Sequence, residues 1–151
     1  MKKFLLPAVV VLFLHAFVFG QAAQKKADKP EAAVPNPVKS SPAFAEVLLR
    51  KTELQAEMES LLVEYTDEYP KIKEARFQLA AMQKDIDRLM AVKPADVSRL
   101  TQALGKLIVR KIELETDLWV LRAKYDDEHP DVKRAKKKLE IYEASIKEIL
   151  G

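Results

Sequence analysis

Large side chains recur every seven positions along most of this chain, in two interleaved series. The first half supplies Phe44, Lys51, Met58, Tyr65, Ile72, Leu79 and Ile86, together with Val47, Leu54, Leu61, Glu68, Ala75, Met82 and Leu89. The second half supplies Leu104, Lys111, Leu118, Tyr125, Val132, Leu139 and Ile146, together with Leu107, Leu114, Leu121, Glu128, Ala135, Tyr142 and Ile149. These are heptad a and d positions with mainly polar residues between them, the pattern of helices that bury one seam against a partner helix. The pattern predicts an all-α fold, an elongated antiparallel coiled-coil hairpin with a proline kink or break in each half.

The two halves also correspond residue by residue at an offset of 60. Between residues 50–90 and 110–150, thirteen of 41 positions are identical, and even the odd seam members agree, Lys51 with Lys111 and Glu68 with Glu128. An internal duplication accounts for this better than two unrelated heptad runs. Ser41 can cap a first helix whose first position is Pro42, where the missing N–H costs nothing. Between the halves, "AVKPAD" interrupts the pattern, and Asp96 or Ser98 is placed to cap the next helix. The expected organisation is therefore repeat 1 over 42–90, a linker over 91–95 and repeat 2 over 96–151.

Within each repeat lies one proline phrase, "YTDEYPKIK" at 65–73 and "YDDEHPDVK" at 125–133. Proline in a helix interior costs about 3 kcal/mol and pushes the residue before it toward extended dihedrals. The heptad phase nevertheless passes through Pro70 and Pro130 without a slip. That predicts a kink or one-turn interruption, with helices near 42–68, 71–90, 96–128 and 131–150. A packed four-helix arrangement, with both phrases as turns, is the alternative. Asp67 or Asp127 is placed to cap the break.

The first twenty residues read differently. "MKKFLLPAVVVLFLHAFVFG" has two lysines before an apolar run, the layout of a signal peptide cleaved after residue 20 or 22. Retention as a membrane anchor is the alternative, weakened by Pro7 and His15. Residues 21–41 are rich in Ala, Lys and Pro and cannot bury enough surface to order themselves, so a flexible tether is expected. There is no cysteine. Loss of Lys2 and Lys3 lowers the formal charge from +3 to +1, so the mature chain is nearly neutral. The expected location is the periplasm or its equivalent outside the cytoplasmic membrane.

Candidate chemistry is sparse. His129, among acids, is the one histidine after residue 20, and its counterpart is Tyr69, which argues against a metal site. Glu68 and Glu128 sit at the breaks and suit capping or pairing with lysines better than proton transfer. No catalytic residue, cofactor or metal is expected. The run Lys133, Arg134, Lys136 and Lys137 could meet an anionic glycan or membrane surface, though a solvated face balanced by nearby acids is the ordinary explanation; nucleic acid is an unexpected partner for an exported chain. Leu62, Phe77, Ile108 and Trp119 widen the apolar surface beyond one seam and suggest a partner, either another copy or an envelope protein.

The phrase built on Tyr65, Asp67, Glu68 and Pro70, and again on Tyr125, Asp127, Glu128, His129 and Pro130, carries a resemblance. "LRAKYDDEHPDVKRAKKKLE" at 121–140 and "LLVEYTDEYPKIKEARFQLA" at 61–80 resemble the periplasmic coiled-coil segment of polysaccharide chain-length determinant proteins, or co-polymerases. The membrane-proximal α/β base and nucleotide-binding motif associated with that family have no counterpart here. What the resemblance implies is a non-catalytic, oligomerising scaffold or adaptor of the cell envelope, connected with polysaccharide export. The size and helical body are also similar to the small periplasmic holdase that guards unfolded outer-membrane proteins, which makes a chaperone the second expectation.

Overall fold

The computed structural model describes residues 36–151. The expected signal peptide or anchor over 1–20 and most of the tether lie outside them. Among the described residues there are four α-helices of 21 residues each and two short 3₁₀ turns, without a strand. The helices are α1 (Pro42–Leu62), α2 (Pro70–Met90), α3 (Gln102–Arg122) and α4 (Pro130–Leu150). No helix among the described residues is long and apolar enough to cross a membrane.

The starts and ends of α1 and α2 recur 60 positions later in α3 and α4. The caps recur as well. Ser41 Oγ accepts from Phe44 N at 3.3 Å, and Thr101 Oγ1 accepts from Leu104 N at 3.3 Å. Thr101 therefore does what Asp96 or Ser98 was expected to do, because Pro94–Arg99 forms a 3₁₀ turn and delays the helix to residue 102. The end of the expected tether is likewise ordered: Pro37–Ser40 forms the other 3₁₀ turn, with Val38 buried.

The proline phrases are turns, not kinks. α1 ends at Leu62 and α3 at Arg122, well short of the expected 68 and 128, and residues 63–69 and 123–129 reverse the chain. Lys51 on α1 donates to Gln83 on α2 at 2.7 Å, which fixes those helices as antiparallel. Lys111 with Asp85, and Trp119 with Phe77, make α2 and α3 antiparallel too. α1 and α3 consequently run the same way, and both proline turns lie at one end of the molecule. α3 packs on α1, α2 and α4, whereas α4 packs principally on α3.

The main core lies away from the turns. Val47, Leu54, Met82, Leu89, Leu104 and Ile112 meet there, joined by Val38 from the first 3₁₀ turn and by Leu100, which follows the second. A smaller cluster of Leu118, Val132 and Ala135, flanked by Leu121 and Leu139, holds α4 to α3 nearer the turns. Gly105 marks a close approach of α1 to α3: a Cβ there would meet Glu46 Cβ at 2.7 Å and the Ala43 backbone at 3.0 Å.

Candidate functional site: the paired turns and the aromatic groove

Each turn is built by the phrase that was singled out in the sequence. Tyr69 N and His129 N donate back to the carbonyls of Thr66 and Asp126, at 3.0 and 3.2 Å, closing the reversal before the proline. The proline then begins the next helix, where a missing N–H is harmless. Tyr65 stacks on Tyr69 with ring centroids 4.2 Å apart, and Tyr125 on His129 at 4.0 Å. The imidazole thus replaces a phenol in an equivalent stack, and its Nδ1 also accepts from Asp131 N at 3.2 Å. His129 is a local cap. No cluster of metal-ligating side chains occurs among the described residues.

The acids of the turns are tied to the helices beside them. Glu68 pairs with Lys73, and Glu128 with Lys133 at 2.5 Å. Asp67 pairs with Arg76 at 2.5 Å; Asp127 pairs with Arg122 at 3.0 Å and with Lys136 at 3.1 Å. The hydrogen bond and charge of Lys73 hold the Glu68 carboxyl below its usual range, and Arg122, then Lys136, do the same to Asp127. Capping falls instead to Asp126, whose Oδ1 accepts from Glu128 N at 3.0 Å and His129 N at 2.9 Å. Its counterpart is Thr66, so the sequence signal for this cap was present only in the second repeat.

The basic run is similarly occupied. Lys133 and Lys136 are bound to turn acids, Arg134 pairs with Asp131, and Lys137 pairs with Glu140 at 3.0 Å. These side chains form a neutralised face rather than a bare cationic patch.

The aromatic outliers converge. Phe77 of α2 stacks on Trp119 of α3, with centroids 5.3 Å apart and planes 18° from parallel. They line a groove of about 480 Å³ with Leu118 of α3, Leu139 of α4 and the small side chains Ala80 and Ala81 of α2. Trp119 keeps 39% of its surface exposed there. Lys84, Glu115 and Arg122 border the groove. Glu115 faces Lys111 at 3.3 Å and Arg122 is held by Asp127, while Lys84 makes no ion pair among the described residues. The charge left unneutralised at the rim is positive.

Ile108 does not join this surface. It is 2% exposed, because α3 uses that flank to pack into the main core. Leu62 is half-buried at the end of α1. Much of the aliphatic surplus beside the seam is consumed within the chain, since α3 has three helical neighbours rather than one. A second feature escaped the sequence pattern: Lys111 Nζ lies 2.6 Å from Asp85 Oδ2, and both side chains are only 6% exposed. Lys111 was visible as a charged seam residue, but nothing local identified its partner on α2. No protein-family model, curated protein or solved structure matches the chain.

Proposed function

We propose that this protein is a non-catalytic scaffold or adaptor exported to the cell envelope, in which two short antiparallel coiled-coil hairpins hold one aromatic groove open for a protein partner. The observation that carries the reading is the groove between α2, α3 and α4, floored by Trp119 and Phe77 and left uncovered by the chain's described residues. A rigid groove lined by aromatic and aliphatic side chains suits the anchor residues of a partner helix. The turn acids and the neighbouring bases neutralise one another, which favours a structural role for the proline phrases over binding of an anionic glycan. The link to polysaccharide export rests on the resemblance of 61–80 and 121–140 to the co-polymerase coiled coil.

The test is expression of the full chain in a Gram-negative host, with mass spectrometry of its N-terminus in the periplasmic fraction and in-cell photocrosslinking from position 81, beside the groove. A mature chain beginning at residue 21 or 23, crosslinked to a discrete protein species, is expected. A chain retained in the cytoplasm with Met1 intact overturns the exported reading. Suppression of outer-membrane protein aggregation at stoichiometric amounts, without a discrete crosslink, would favour the holdase instead.

A further inference from the structure

The groove has an acceptable occupant within this same sequence. The outer face of α1, away from α3, carries Ala45, Leu48, Leu49, Thr52 and Ala56 at helical spacing, with Leu48 and Leu49 exposed by 43% and 58%. The helix holds four glutamates against Arg50 and Lys51; of the exposed acids along the stripe, Glu53 is paired with Arg50 at 3.4 Å, whereas Glu59 makes no ion pair among the described residues. The groove presents the converse: an apolar floor at Trp119 and Phe77, and on its rim Lys84, which makes no ion pair among the described residues. We infer that α1 of a second copy of this chain lies in the α2–α3–α4 groove, its leucines against Phe77 and Trp119 and its acidic border toward Lys84. The inference rests on the groove being a protein-docking site.

The duplication explains why the second copy docks here rather than by simple extension of the repeat stack. Within the chain, α3 approaches α1 through Gly105, where a Cβ would strike the Ala43 backbone. The equivalent position on α1 is the exposed Ala45, whose methyl group disfavours so close an approach by another helix. The α1 stripe is therefore available to a different receptor surface. The contact is heterologous, each copy offering its stripe to one neighbour and its groove to another, so assembly proceeds to a ring or a short filament.

Two variants separate the halves of the contact. Leu48→Asp/Leu49→Asp spoils the stripe and leaves the groove intact, while Lys84→Glu/Phe77→Asp spoils the groove and leaves the stripe intact. Light scattering is expected to give a concentration-dependent oligomer for the full chain from residue 21, and the mass of one chain for each variant. Mixed in equal amounts, the two variants should form a heterodimer and stop, because each retains one half of a single contact. Trp119, the chain's only tryptophan, should shift its emission to the blue on mixing when it is present in the intact groove. Circular dichroism verifies that both variants keep their helicity, and Lys84→Glu alone provides a milder groove variant should the double change unfold.

A monomeric parent, variants that assemble as the parent does, or a mixture that stays monomeric would each overturn the self-docking inference. A groove crosslink to a different protein in cells would still support the adaptor reading, so failure of the two ideas is distinguishable.

Discussion

At the residue scale, Gly105 reverses the usual rule for glycine in a helix. Replacing an exposed mid-helix glycine by alanine gains about 1 kcal/mol. Here the added methyl group must displace either the Ala43 backbone or the Glu46 Cβ, and overpacking of this kind costs about 1–3 kcal/mol. Gly105→Ala is therefore expected to lower the thermal midpoint despite its better helix propensity, whereas a rise would mean that α1 and α3 separate easily. The buried Lys111–Asp85 pair makes a second residue-level prediction. Removal of either partner strands a charge among apolar side chains, a loss of about 3–5 kcal/mol for such pairs. Glu115 beside Lys111 and Arg88 beside Asp85 soften that loss toward the low end. Asp85→Leu and Lys111→Met should each destabilise the protein in urea unfolding, while the double variant should recover most of the loss. Additive single losses would show that the two side chains act independently.

At the element scale, the sequence made the four helical segments legible but not the path between them. Residues 63–69 and 123–129 are seven-residue turns, one heptad long. A turn of that length preserves heptad phase whether the chain runs straight on or reverses, which is why Pro70 and Pro130 resembled kinks. Tyr65 and Glu68 occupied seam positions on paper, yet both are exposed in the turn. Ile72 and Val132, two residues after the prolines, are fully buried and anchor the new helices. The groove was partly legible: Phe77 and Trp119 stood out as aromatic residues off the seam, but their meeting depends on the reversal at the first turn. The same turn chemistry sets a pH dependence. Glu68 and Asp127 have lowered folded pKa values because cationic neighbours favour their charged forms. Their contribution is present above the ordinary carboxylate range and is lost as pH falls through the depressed folded values. Hydrogen exchange compared between neutral and acidic pH, after correction for intrinsic rates, should show the turns loosening before the main core; simultaneous loss of core protection would show that the turns do not open separately.

At the scale of the whole molecule, duplication has produced equal helices in unequal surroundings. α2 is flanked by α1, α3 and the first 3₁₀ turn, while α4 depends mainly on α3. The consequence appears at equivalent positions: Asp85 and Met82 are buried, but Ser145 and Tyr142 are only half-buried; Ile86 and Leu89 are likewise more enclosed than Ile146 and Ile149. Phe77, which builds the groove, is matched by Lys137, which pairs with Glu140 on the surface. A polar outer surface on the last helix is what allows a short repeat array to stop in water. Fewer buried neighbours also lower the free energy of local opening. Residues 141–150 should therefore exchange their backbone amides about tenfold faster than residues 81–90, after correction for intrinsic rates, in a dilute sample of the full chain. Equal protection would mean that the second hairpin opens only with the first, placing the cooperative unit at the level of both repeats.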